Sequence, residues 1–100
     1  MNFNKEFNSF AKSNGISSQN LDYYSDYIQN LTPYILEERQ MRVTQMDVFS
    51  RLLMDRIIWL SGPVNQQMSD IVQAQLLFLD SVDKKRDITL YIKSPGAKVL

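Results

Sequence analysis

One hundred residues with 11 basic and 11 acidic side chains, no cysteine and no histidine, allow one small domain and close off several kinds of chemistry. Zero formal charge removes the electrostatic footprint of a nucleic-acid binder, and without thiols or imidazoles there are no disulfides and nearly no zinc arrangements, so no metal or other cofactor is expected. The longest apolar runs, Ile57-Ile58-Trp59-Leu60 and Leu76-Leu77-Phe78-Leu79, fall well short of the ~20 residues of a membrane helix; Met1 to Glu6 has neither a basic n-region nor an apolar h-region, so a soluble cytoplasmic protein is expected.

Residues 1–33 read as a polar helical extension in which Asn and Ser dominate the polar positions. Phe3, Phe7, Phe10 and Ala11 fall on one face of a first short helix, and Leu21, Tyr24, Ile28 and Leu31 on one face of a second. Asn14-Gly15 separates them as a turn, and Ser17 or Ser18 is placed to cap the second. Both stripes are thin, so the expectation is an appendage that packs weakly or waits for a partner. From Tyr34 to about Met46 the helical stripe lapses, and β-branched, aromatic and charged residues mix in a way that predicts a hairpin or extended arm.

Residues 47–100 carry a stronger pattern. Asp47 is placed to cap a short helix with Val48, Phe49, Leu52 and Leu53 as its apolar positions, which Asp55-Arg56 ends. Ile57 to Leu60 then reads as a strand apolar on both faces, followed by a turn at Ser61-Gly62-Pro63. A helix from about Asn65 to Val82 carries Met68, Ile71, Val72, Gln75, Leu76 and Leu79 on one side, with Leu77 and Phe78 widening the stripe; that breadth predicts burial on more than one side. Lys84-Lys85-Arg86, flanked by Asp83 and Asp87, reads as a solvated turn, and Ile88 to Ile92 alternates as a second strand. Strand, long crossover helix and strand make a βαβ unit with parallel strands, so the fold class is α/β. Two such strands by themselves leave open edges, which favours self-association.

Several separated blocks point further: Phe49-Ser50-Arg51-Leu52-Leu53, Asp55-Arg56-Ile57-Ile58, Ala74-Gln75-Leu76-Leu77-Phe78-Leu79, and Ile92 with Ser94-Pro95-Gly96. In this order and at this spacing, Met46 to Gly96 resembles the amino-terminal part of the proteolytic subunit of the ATP-dependent Clp protease, a barrel-forming serine peptidase. The resemblance implies the opening βαβ unit of a crotonase-like spiral fold, with later repeats and a helical handle that meets the opposite ring beyond Leu100. It makes residues 34–46 the equivalent of the axial loops around the substrate pore, with Glu37, Glu38, Arg39 and Arg42 as rim charges or simply a solvated cluster. It makes Gly96 and Ala97 the equivalent of the oxyanion loop, where the family has a second glycine in place of Ala97. Leu52, Ile57, Leu77, Phe78 and Tyr91 match the apolar pocket that receives flexible loops of the hexameric Clp ATPase, with Thr89 in place of a residue that is often aromatic there; the same residues also fit ordinary core positions. The implied partners are like subunits in a homo-oligomeric ring and that ATPase, with no nucleic acid and no membrane.

The chemistry implied by the family is not carried by these residues. A Ser-His-Asp triad needs an imidazole base, and there is none. None of the ten serines lies beside a plausible base, and Glu37-Glu38, being adjacent, cannot face each other across a reacting atom. Similarity also lapses after Gly96. The expectation is therefore a truncated proteolytic subunit, inactive by itself; the alternative is a non-catalytic subunit that binds a full-length homologue or the ATPase.

Overall fold

The computed structural model describes residues 3–43, 48–61 and 65–93. In chain order it contains α1 (Phe3–Ser13), α2 (Ser18–Arg39), α3 (Val48–Met54), β1 (Ile57–Ser61), α4 (Gln66–Val82) and β2 (Thr89–Lys93). The two strands pair in parallel, Ile57 opposite Thr89 through Ser61 opposite Lys93, so the expected βαβ unit is present. It divides the strand residues between two faces. Ile57 and Trp59 share one with Thr89 and Tyr91, while Ile58 and Leu60 share the other with Leu90 and Ile92.

Local chemistry sets the helix ends. Gly15, at φ +89°, closes α1: its N–H reaches the Lys12 carbonyl and the Ile16 N–H reaches that of Ala11, which satisfies carbonyls the helix would otherwise leave bare. Gln40, at φ 53°, closes α2 in the same way through the Glu37 and Leu36 carbonyls. The Ser17 hydroxyl accepts from the Asn20 N–H at 3.1 Å and the Asn65 side chain from the Met68 N–H at 2.8 Å, capping α2 and α4. Asp47, Gly62 and Pro63, expected to cap α3 and to turn the chain after β1, lie outside the described residues.

Two expectations for the first forty residues are corrected. The hairpin or extended arm from Tyr34 onward is helical as far as Arg39, because α2 runs through Pro33 and across the expected boundary there. A proline inside a helix removes one hydrogen bond and crowds the preceding turn, so packing has to hold the turns that follow. Ile35 is wholly buried, and the Tyr34 ring meets Trp59 edge-on at 6.0 Å.

The extension is also no weakly packed appendage. Phe7 and Ala11 of α1 are fully buried, as are Tyr24 and Ile28 of α2 to within a few per cent. Phe7 lies edge-on to Phe49 at 5.7 Å and to Phe78 at 5.6 Å, and Phe3 and Phe10 flank Phe78 as well. Edge-to-face aromatic pairs contribute about 0.5–1.5 kcal/mol each beyond their burial, so α1 is joined to α4 by an aromatic cluster. The two strands are not left by themselves: the helices before them complete one hydrophobic core with α3, β1 and α4.

Candidate functional site

The face shared by Ile57, Trp59, Thr89 and Tyr91 is where the structure gathers the most distinctive side chains. Trp59 and Tyr91 are opposite one another in the register and stack at 4.2 Å with an 11° interplanar angle. From α2, the Tyr24 hydroxyl donates to the Trp59 carbonyl at 2.8 Å, and the Tyr34 ring closes on the indole. At the rim the Tyr91 hydroxyl donates to Glu38 Oε1 at 2.7 Å, while the Arg39 guanidinium stands 6.0 Å from the centre of the Tyr91 ring. The alternation of each strand puts these groups on one side, and the burial of α2 brings its last turns across them.

Of the residues expected to form an apolar docking pocket, Ile57, Thr89 and Tyr91 share this face. Leu52 is buried in α3, the helix that leads into β1. Leu77 and Phe78 do not join them. Phe78 is 5% exposed beneath the phenylalanines of α1, whereas Leu77 is 56% exposed and lines a shallow groove with Asn14, Ile16, Asp70 and Gln73. Gly96 and Ala97 lie outside the described residues. In sequence Trp59 is simply one residue of an apolar strand; its position opposite Tyr91 follows from the register.

A second arrangement had no clear sequence signal. Arg56 is buried, at φ 59°, between α3 and β1. Its guanidinium donates to four main-chain carbonyls: Asp87 at 3.2 Å, Leu79 at 3.0 Å, Asp83 at 2.7 Å and Arg86 at 3.0 Å. These belong to the end of α4 and the loop that returns to β2. The cation therefore sits where the helix dipole is negative and holds that loop to the start of the sheet. The Thr89 N–H, bonded to the Arg56 carbonyl at 2.8 Å, sets the strand register from the same residue.

A cavity of about 310 Å³ opens beside this face, lined by Arg39, Gln40, Met41, Arg42, Val43, Arg51, Asp55 and Ile57. It is a poor anion site. Arg51 is already paired with Asp55 at 3.0 Å and Arg39 lies against Tyr91, leaving Arg42 as its one guanidinium not committed to a partner among the described residues. Among those residues no group of three His, Cys, Asp or Glu converges as metal ligands would, and no helix is long and apolar enough to cross a membrane.

Two tyrosines titrate abnormally. Burial pushes the Tyr24 hydroxyl well above the ordinary value of 10.0, and the hydrogen bond to the Glu38 carboxylate, followed by desolvation, raises Tyr91. Both groups have a higher pKa folded than unfolded, so the stability they confer is complete below pH 10 and declines as pH rises through the raised folded values. In urea melts, stability should hold up to about pH 10 and then fall, with a smaller alkaline loss in Tyr24→Phe. An alkaline limb identical in the two proteins would show that Tyr24 is not responsible.

The register and crossover define a parallel strand-helix-strand unit with helices packed on it. The sequence profile of the Clp protease family matches residues 38–100, more than half of the chain. The chain belongs to that family. Over 69 residues it is 62% identical to the ATP-dependent Clp protease proteolytic subunit of Bacteroides thetaiotaomicron, a match covering 69% of this chain and 31% of the relative. The proteolytic subunit of Bacteroides fragilis is 61% identical over 69 residues, covering 69% and 33%. That of Porphyromonas gingivalis is 48% identical over 99 residues, covering 94% of this chain and 43% of the relative, so the helical extension has a counterpart there. The chain thus spans about a third to two fifths of the length of these relatives. No solved structure matches it significantly.

Proposed function

We propose that these 100 residues supply the opening part of a proteolytic subunit of the ATP-dependent Clp serine endopeptidase, contributing structure and a docking face but no peptide-bond hydrolysis of their own. The observation that carries this reading is the family match over residues 38–100 in a sequence without histidine. In the family mechanism an imidazole takes the proton of the serine nucleophile and returns it to the leaving amine. Gly96 and Ala97 would correspond to the oxyanion loop, and donors there stabilise charge only where a nucleophile has attacked. The face of Ile57, Trp59, Thr89 and Tyr91 is assigned to docking of the hexameric Clp ATPase; like subunits in a ring are the other partners, and the cytoplasm is the compartment. Continuation of the βαβ unit into a spiral of repeats belongs to the same proposal.

The purified chain is expected to show no turnover of short fluorogenic peptides, which need no ATPase to reach an active site. Turnover above buffer that survives repurification and is blocked by a serine-directed reagent would overturn this. A second reading, a non-catalytic binding subunit, is favoured by one observation: α1 and α2 close a common core with the βαβ unit, as a self-standing module requires. Co-purification with a full-length homologue, the chain remaining folded when separated from it, is the result that would favour this reading over the first.

A further inference from the structure

We propose that the last turns of α2, Tyr34–Arg39, act as a strap that occupies the Trp59–Tyr91 face and excludes the ATPase until it swings away; this rests on the docking assignment made above. The strap is seated by Tyr34 against Trp59, by Ile35 in the core, and by Glu38 and Arg39 on Tyr91. Two features weaken α2 where the strap begins. Pro33 has no N–H to give to the preceding turn, and the Thr32 hydroxyl donates to the Ile28 carbonyl at 2.7 Å, a back-bond that bends helices. The strap can therefore move about Thr32-Pro33 while Leu21, Tyr24 and Ile28 keep the rest of α2 in the core.

The closed arrangement is also incompletely satisfied. The Trp59 indole N–H is buried with no hydrogen-bond partner among the described residues, and a buried donor left unpaired is a standing cost. The contacts at the rim are solvent-exposed, where ionic and cation–π contacts contribute little. An incoming extended loop with apolar side chains would replace Tyr34 against the indole and offer a backbone carbonyl to the orphan N–H. The strap and the loop thus compete for one surface, and the apparent affinity for the loop is lowered by the fraction of chains in which the strap is closed.

Trp59 is the only tryptophan in the chain, so acrylamide quenching of its fluorescence reads the strap directly. The same proteins are titrated against a hexameric Clp ATPase with ATP present. Tyr34→Ala should expose Trp59 to quencher and tighten ATPase binding by about tenfold. Tyr34→Phe, which keeps the ring on the indole, should behave as the unaltered chain, and Glu38→Ala, which removes only a rim contact and leaves the core intact, should move both readouts part of the way. Unchanged quenching in both alanine variants would overturn the strap, as would increased quenching with unchanged ATPase affinity, an outcome that leaves the docking assignment standing. Absence of ATPase binding in every protein, the opened ones included, would overturn the docking assignment and the strap with it.

Discussion

Arg56→Ala is expected to destabilise the fold by about 3 kcal/mol or more, since each buried carbonyl that loses its donor costs ~1–3 kcal/mol. The substitution strips a partner from four carbonyls at once, those of Leu79, Asp83, Arg86 and Asp87. Water can reach the part-buried ones, so the total falls below four full penalties. Arg56→Lys should recover less than half of the loss, because one ammonium cannot reproduce a planar fork that addresses several carbonyls. Urea denaturation followed by circular dichroism measures both variants. An Arg56→Ala midpoint equivalent to a loss of less than about 0.5 kcal/mol, the range of ordinary surface changes, would mean that the loop is held by something else.

Leu77→Asp and Phe78→Asp, neighbours in sequence, should behave oppositely. Leu77 is exposed, so its replacement should change stability by no more than about 1 kcal/mol. Phe78 is enclosed by Phe3, Phe7 and Phe10; truncating a buried phenylalanine costs about 3–5 kcal/mol, and an unpaired carboxylate in its place adds to that. Phe78→Asp should therefore release α1 and leave a chain without a cooperative thermal transition, while Leu77→Asp melts like the unaltered protein. Equal melting curves for the two would contradict the packing of α1 on α4. The contrast also limits what a double substitution can report: loss of binding in a chain carrying both changes would reflect unfolding before it reflected an interface.

The βαβ unit was legible because its signals are local. Ile57 to Leu60 and Ile88 to Ile92 are β-rich runs flanking a helix whose apolar positions recur at the helical period, and parallel pairing follows from the crossover length. The helices of the extension were legible for the same reason, and Asn14-Gly15 marked the break between them. What failed was set by tertiary contact. Pro33 and the charged residues after it argue locally against helix, yet Ile35 in the core and Tyr34 on Trp59 carry α2 six residues further. Leu77 and Phe78 are equivalent by composition, and only the docking of α1 decides which is covered. Arg56 stood in the block Asp55-Arg56-Ile57-Ile58, but nothing local showed its role, since the carbonyls it binds lie 23 to 31 residues away. In the candidate site, the family resemblance named Ile57, Thr89 and Tyr91, which the register puts on one face, and Trp59 enters only through that register.

The aromatic cluster that fastens α1 to α4 also fixes an order of events during synthesis. Phe3, Phe7 and Phe10 leave the ribosome before the ring they enclose, Phe78, which follows about 75 residues behind Phe3. At 5–20 residues per second that interval lasts roughly 4 to 15 s. Throughout it the apolar stripe of α1 lacks its α4 partner, with Phe49 the one ring of the cluster to arrive earlier, and is partly open to chaperones or to other nascent chains. A segment made before α4 thus waits for α4 to complete its packing, and substitutions that lower the apolarity of that stripe trade stability of the finished core against exposure on the ribosome.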